Sequence, residues 1–190
     1  QPIVDVSPPK WHLGHTTWFF ETFVLKPFLK DYKEFNPEYN YVFNSYYESI
    51  GARVMRTDRG NLSRPTVSDV YRYREYVDTI MSDFLNNTEL TAEHIKISTL
   101  GLQHEQQHQE LLFTDIKYIL GHNPIFPPYQ SFQTNGNGWK PSVQPTIMQQ
   151  KQNNFINIPG GVYEVGNKGL DFCFDNELRR HKVYLHHYSI

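Results

Sequence analysis

The sequence contains a single cysteine, Cys173, among its 190 residues. It can therefore form no intramolecular disulfide and no zinc site built from several cysteines. Long hydrophobic runs are also missing, because apolar stretches such as "WFF" and "FVL" are far too short to span a membrane. The first residues show no signal-peptide pattern. Together these absences predict a soluble protein of the cytoplasm, a reducing compartment.

An excess of charge of either sign is missing as well. Eighteen basic and twenty acidic side chains give a formal net charge of −2. Nucleic acid is therefore not an expected partner. Aromatic residues, in contrast, make up 15% of the chain, and such side chains can build a core from few residues. The length suffices for one full domain and part of another.

The first helix is predicted from about Pro9 to Tyr32. Ser7 is the expected N-cap, the prolines after it suit a first helical turn, and Pro27 is expected to bend the helix. The stripe expected to be buried consists of Leu13, Phe20, Val24 and Phe28.

Two further helices are predicted after residue 65. The first has Val67, Val70, Tyr71, Arg74, Val77, Met81 and Phe84 at helical spacing. The second begins near Thr91 and ends before Gly121, a good C-terminal stop. Thr91 and His94 lack the residue pair of a full capping box.

The remaining segments predict a mainly α fold followed by β structure. Residues 33–65 are expected to be a long loop, which in a compact domain is usually functional. The expected boundaries are a helical metal-binding domain at 1–120, a Pro/Gly/Asn-rich linker at 121–153, and short β-strands at 154–190.

The stretch "HEQQHQE" carries the strongest chemical signal. His104 and His108 are four residues apart, so on a helix both project from one face and can bind one divalent ion. Gly101 leaves that face open to a partner. The competing interpretation is two surface histidines on a polar helix.

A metal site needs a third ligand, and "WHLGH" offers His12 or His15. His15 lies beside Trp18 and Phe19 on an aromatic-rich helix. A lone histidine in such a place is more often a core residue than a ligand. Histidines on two long helices nevertheless favour a site between them.

The pattern H-E-x-x-H is also the signature of zinc peptidases, in which Glu105 would be the base. The usual third ligand of such enzymes follows on a later helix or after a glycine turn. Here a Pro-rich segment follows instead, so the peptidase hypothesis lacks its third ligand.

The loop "ARVMRTDRGNLSRPT" holds four arginines. Arg56 and Arg59 are three residues apart, and both could bind an anionic ligand through forked contacts. The alternative is a solvated loop whose arginines pair with Asp58 or other acids.

Three stretches, "SPPKWHLGHTTWFFE", "RTDRG" and "LGLQHEQQHQELL", resemble the iron(II)-dependent sulfoxide synthases of ergothioneine biosynthesis. That resemblance implies a DinB-like four-helix bundle joined to a C-type-lectin-like domain of the formylglycine-generating-enzyme type. "FINIPGGVYEVG" and "FDNELRRHKVYL" look like the opening of the second domain. The first bundle helix is then expected before Gln1.

The resemblance also assigns roles to single residues. The Fe(II) ligands would be His15, His104 and His108. Contacts to the histidine-derived substrate and to the carboxylates of the thiol would come from Gln107, Arg56 and Arg59. Glu105 would have no catalytic role, and the catalytic acid tyrosine is expected beyond residue 190.

The implied reaction is oxygen-dependent C–S bond formation with sulfoxidation, joining cysteine or γ-glutamylcysteine to the imidazole of hercynine. Three imidazoles suit Fe(II) and leave coordination positions for substrates and dioxygen. This chain alone is expected to be weakly active or inactive. The alternatives are a DinB-like metal-dependent thiol transferase, which ordinarily has no appended β domain, a zinc peptidase, and a non-catalytic metal-binding fragment.

Overall fold

The computed structural model describes residues 3–45, 50–129, 155–169 and 172–190. The described chain is mainly α-helical and has short antiparallel strands near its C-terminus. It divides into two compact units, residues 1–129 and 130–190. The helices are α1 (Pro9–Phe20), α2 (Lys26–Phe28), α3 (Tyr39–Phe43), α4 (Val67–Asn87) and α5 (Ala92–Gly121). None of the described helices has the length and apolar character needed to cross a membrane.

Helix α1 begins at Pro9 as predicted, but Ser7 is not its cap. The N-cap position is Pro8, and no side chain caps the helix. The backbone N–H of Ser7 instead donates to the Asp115 carboxylate at 3.1 Å. Its hydroxyl accepts a hydrogen bond from Arg59. The prediction failed because long-range partners engage Ser7 in place of the helix end.

The first helical segment ends at Phe28, four residues before the predicted end at Tyr32. A π-helical turn, Glu21–Leu25, joins α1 to α2 directly before the expected bend at Pro27. Proline has no N–H for the carbonyl four residues back, so the regular hydrogen-bond pattern cannot continue through it. The backbone becomes extended at Leu29, where the helix stops.

The core of the first unit forms where α1 and the π-helical turn pack against α4. Of the predicted stripe, Phe20 and Val24 are buried, whereas Leu13 and Phe28 are only partly buried. The fully or nearly fully buried residues of this cluster include Trp11, Trp18, Val24, Leu25, Val70, Tyr73 and Val77. Helix α1 thus lies in the core itself.

Helix α4 follows the predicted pattern with exceptions in its first turns. Val67 and Tyr71, which share the predicted helical spacing, are 53% and 62% exposed and lie outside the buried face of the helix. Tyr73, which the pattern omitted, is fully buried because its hydroxyl donates to the buried Glu21 carboxylate. A buried tyrosine commonly finds such a partner for its hydroxyl. Of the other five residues at helical spacing, Val70, Val77, Met81 and Phe84 are buried, and Arg74 is partly exposed.

Helix α5 has a capping box that its sequence did not predict. The Thr91 hydroxyl accepts the N–H of His94, and the His94 imidazole accepts the N–H of Thr91. The ring nitrogen takes the role that a Glu or Gln oxygen usually fills. The helix ends at Gly121, close to its predicted stop.

The segment 33–65 is less irregular than predicted. It contains α3 and a 3₁₀ turn, Arg56–Asn61. The Lys10 ammonium of α1 donates to the carbonyls of Leu62 and Pro65, which ties the end of this segment to the first helix. Residues 46–49 lie outside the described part of the chain.

The second unit contains the predicted short strands. Strands β2 (Gly161–Val165) and β3 (His181–Leu185) pair in antiparallel fashion. Strands β1 (Asn157–Ile158) and β4 (Tyr188–Ser189) form a second antiparallel pair. Most of the predicted linker, residues 130–153, lies outside the described residues.

Candidate metal centre

Three histidines from α1 and α5 converge in the first unit. The ligand atoms of His15, His104 and His108 all lie within 4.8 Å of one another. Their ring centroids are 4.6 to 4.9 Å apart. The structure thus brings together the three residues to which the resemblance assigns metal binding.

The imidazole of His15 is held from three sides. It is 2% exposed and stacks between Trp11 and Trp18, with centroid distances of 4.7 and 5.6 Å. Its Nδ1 lies 2.6 Å from the Phe43 carbonyl oxygen at the end of α3. A carbonyl can only accept, so Nδ1 carries the hydrogen and Nε2 keeps the free lone pair. This tautomer suits metal binding through Nε2.

Burial keeps the other two imidazoles neutral. It lowers the pKa of His104 to about 4. For His108, burial acts together with the positive forms of His104 and His12 and with Arg59, and its pKa falls to about 3. Burial, chiefly, also lowers the pKa of His15 well below its usual value. Neutral imidazole is the form that binds a metal ion, so no proton has to leave first at neutral pH.

The site fits a divalent transition metal. The Nδ1 atom of His104 is buried and has no hydrogen-bond partner in the described structure. A buried polar atom of this kind costs free energy unless something binds it. Three imidazole donors suit Fe(II), Zn(II), Ni(II) or Cu(II), so the donor set alone does not choose among these ions.

Two glycines allow the helices to come close enough for this arrangement. A Cβ atom on Gly101 would lie 2.6 Å from a ring carbon of Phe20. On Gly14, which precedes His15, it would lie 2.1 Å from the ring of Phe43. The prediction that Gly101 leaves its helix face open to a partner is confirmed, because the rings of Phe19 and Phe20 occupy the space next to it.

His12 also belongs to the centre but differs from His15 in its contacts. Its Nδ1 lies 3.0 Å from Nδ1 of His108, and its Nε2 lies 2.9 Å from the Asp115 carboxylate. Asp115 was not predicted from the sequence. The available signal was its spacing, since it follows His108 by seven residues and so lies on the same helix face.

The two predicted substrate-binding arginines have different surroundings. Arg59 is buried, its guanidinium lies 3.4 Å from the centroid of the Trp11 ring, and it donates to the hydroxyls of Ser7 and Ser45. Its charge helps to lower the pKa of His15 and His108. Arg56 is exposed and donates to the Asp5 carbonyl. Of the two arginines, only Arg59 contributes to the lowered pKa of both His15 and His108, after the larger effect of burial.

The residues between the two α5 histidines also differ. Both carboxylate oxygens of Glu105 accept from the Arg74 guanidinium, at 2.9 and 3.3 Å. This ion pair links α5 to α4. Gln107, the predicted contact to the histidine-derived substrate, is exposed beside His108.

No model of a known protein family matches the chain, and no curated protein matches it either.

Proposed function

We propose that this chain is the metal-binding part of an oxygen-dependent sulfoxide synthase that joins a thiol to the imidazole of hercynine. The observation that carries the proposal is the convergence of His15, His104 and His108, which are neutral and packed among aromatic rings. The motif resemblance supplies the reaction class, and the geometry supplies a site with the right donors.

The three imidazoles would hold Fe(II), which when bound supplies the redox chemistry with dioxygen. The protein's part is to fix the ligands and keep water away. Trp11 and Trp18 stack on His15 and fix its plane. The Phe43 carbonyl holds its tautomer.

The charge near the site suits an anionic thiol substrate such as cysteine or γ-glutamylcysteine. Arg59 contributes a buried positive charge, and Arg56 a second one that also lowers the pKa of His12. Forked guanidinium groups match carboxylates well. We assign the thiol's carboxylates to these arginines and the hercynine contact to Gln107.

The proposed reaction balances with one molecule of dioxygen. The thiol S–H and one imidazole C–H bond break, and a C–S bond and an S–O bond form. One oxygen atom enters the sulfoxide and the other leaves as water with both hydrogens. The substrates together lose four electrons, which dioxygen takes up.

The proposal includes a fold and a location. We assign the first unit to the DinB-like bundle type and the second to the formylglycine-generating-enzyme type. We also propose a cytoplasmic location, where a reducing environment keeps the thiol substrate reduced.

The geometry of Glu105 favours this proposal over a zinc peptidase. A peptidase of the H-E-x-x-H class needs that carboxylate as its base. Here both of its oxygens are engaged by Arg74. The thiol-transferase alternative leaves the β-strands of the second unit without a role.

Oxygen consumption tests the proposed reaction. The full-length protein, loaded anaerobically with Fe(II), is mixed with hercynine and either cysteine or γ-glutamylcysteine in aerated buffer. We expect one dioxygen consumed per sulfoxide formed with one of the two thiols, and none when hercynine is omitted. Failure to consume oxygen with either thiol would reject the proposed reaction.

Two exposed arginines offer a matched pair for testing thiol recognition. Arg56→Gln should raise the KM for the thiol roughly 10-fold, as expected for a lost hydrogen bond to a charged group. Arg64→Gln, at an exposed guanidinium that donates to the neighbouring Ser63 carbonyl, should leave the KM unchanged. Equal effects of the two changes would argue against a specific carboxylate contact.

A further inference from the structure

An acidic side chain, Asp115, is connected to the metal centre through a second histidine. Its Oδ2 atom accepts the backbone N–H of Ser7 at 3.1 Å and lies 2.9 Å from Nε2 of His12. Both Asp115 and His12 are buried, at 8% and 5% exposed. On the other side of its ring, His12 places Nδ1 at 3.0 Å from Nδ1 of His108.

The position of each hydrogen in this series of contacts follows from which groups can donate and which can only accept. An ionised carboxylate can only accept, so Nε2 of His12 must donate to Asp115. In a neutral His12 ring Nδ1 is then an acceptor. The 3.0 Å contact between two ring nitrogens requires one hydrogen, which must therefore be on Nδ1 of His108. The lone pair of His108 is left on Nε2.

We propose that Asp115 and His12 act as positioning residues that hold His108 in the tautomer that presents Nε2 to the metal. Metal-binding histidines commonly donate their second ring nitrogen to an outer partner. For His15 the partner is the Phe43 carbonyl, which can only accept a hydrogen bond. For His108 the partner is another histidine, which becomes an acceptor only because Asp115 fixes its own tautomer.

The arrangement also ties the helices together next to the site. Asp115 lies on α5, two helical turns after His108, while His12 and Ser7 belong to α1 and the segment before it. Any rotation of α5 that moved His108 would also pull on the Asp115 contacts. Replacement of Asp115 is thus expected to lower metal affinity, although Asp115 is not itself a ligand.

The inference rests on the metal centre of the proposed function, so its test separates the two. Imidazole ¹⁵N resonances of the metal-free protein report which nitrogen of His108 carries the hydrogen. We expect the Nδ1–H form in the unaltered protein. The Nε2–H form, which predominates in free histidine, would overturn the proposed relay even if metal binds normally.

Zn(II) titration, with a redox-inert probe, measures the consequence for affinity. Asp115→Asn and His12→Leu should weaken Zn(II) binding about 10- to 100-fold, as is typical for outer partners of a ligand. His12→Asn can place an amide oxygen near His108 and should restore part of the affinity. In His12→Leu, which leaves Nδ1 of His108 without its acceptor, the ¹⁵N spectrum should show a shift towards Nε2–H.

His122→Leu is the matched control, because His122 lies just after α5 and is exposed. It should leave both the affinity and the His108 spectrum unchanged. Unchanged affinity in Asp115→Asn and His12→Leu would overturn the proposal. Complete loss in His12→Asn would make His12 a direct ligand and also overturn it. If His108 has the expected tautomer but Zn(II) does not bind the unaltered protein, the metal centre itself is rejected.

Discussion

Helices α1 and α5 both contribute histidines to the same site, yet they are built in opposite ways. Helix α1 has twelve residues, and nine of them are buried. Helix α5 has thirty residues, of which only Ser98, Gly101 and Asp115 are buried. A helix buried nearly all round belongs to the core, whereas a mostly exposed one is held along a narrow face.

This difference shows that the histidines of α5 depend on the packing against α1 for their positions, whereas His15 does not depend on α5. His15 is fixed by Trp11, Trp18 and the Phe43 carbonyl, none of which comes from α5. His104 and His108 are fixed mainly by where α5 meets α1. We therefore expect the site to fail most readily through displacement of α5.

Among changes outside the metal ligands, the largest effect is expected from Gly101→Val, which breaks the contact between the two helices. The new side chain would overlap the buried rings of Phe19 and Phe20. Overpacking of this kind typically costs about 1–3 kcal/mol. His104 follows one turn later, so Zn(II) affinity should fall more than roughly 10-fold, beyond what a distant change would cause.

Gly121→Val is the matched control for that change. It lies at the other end of the same helix, and nothing lies within 4 Å of its added Cβ. Urea unfolding and Zn(II) titration of both variants would show whether the contact matters. Similar losses in the two variants would contradict the role given to Gly101.

A second test asks whether His104 and His108 are shielded from water although most of α5 is exposed. With pKa values lowered to about 4 and about 3, His104 and His108 stay neutral at pH 5.5. Zn(II) affinity should then change little between pH 7.5 and 5.5. Two histidines with an ordinary pKa near 6.5 would each lose about 10-fold, or roughly 100-fold together. A loss of that size would mean that the imidazoles of His104 and His108 are exposed to solvent.

The same lowered pKa values predict that acid lowers the free energy of unfolding of the metal-free protein. Below about pH 6.5 the histidines of the unfolded chain take up protons, while His104 and His108 in the folded protein do not until about pH 4 and 3. The unfolded state then binds more protons, so acid favours it. The free energy of unfolding of the metal-free protein should fall progressively from pH 6.5 towards 4, measured by urea titration.

The smallest effect is expected from Glu105→Gln, at the ion pair between α5 and α4. Its ion pair with Arg74 is partly exposed, so the loss of stability should stay below about 1 kcal/mol. Zn(II) affinity should be unchanged, because the carboxylate contacts Arg74 and not the histidines. A tenfold loss of affinity would require a role for Glu105 at the metal.

The two helices also differ in how much of them the sequence predicted. The histidine pair of α5 follows from an i, i+4 spacing, which needs no tertiary knowledge. His12 and His15 could not be separated this way, because apolar and aromatic residues crowd α1 and only the fold shows which ring meets α5. Motif resemblance was needed to choose His15.

Long-range contacts explain why the role of Ser7 and the burial of Tyr73 were not predicted. Ser7 has the chemistry of an N-cap, but Asp115 lies more than one hundred residues away and takes its N–H. Tyr73 is buried because Glu21, in the π-helical turn, accepts from its hydroxyl. Such pairings depend on how helices pack, and periodicity within one segment cannot reveal them.

Anaerobic Fe(II) titration tests the three-histidine centre most directly, with the intact chain compared with His15→Ala and His122→Ala. The intact chain and His122→Ala should each bind one Fe(II), because His122 lies outside the cluster. His15→Ala should lose binding, since it removes the ligand supplied by the core. Binding that survives in His15→Ala with unchanged affinity, or is absent from the intact chain, would contradict the proposed centre.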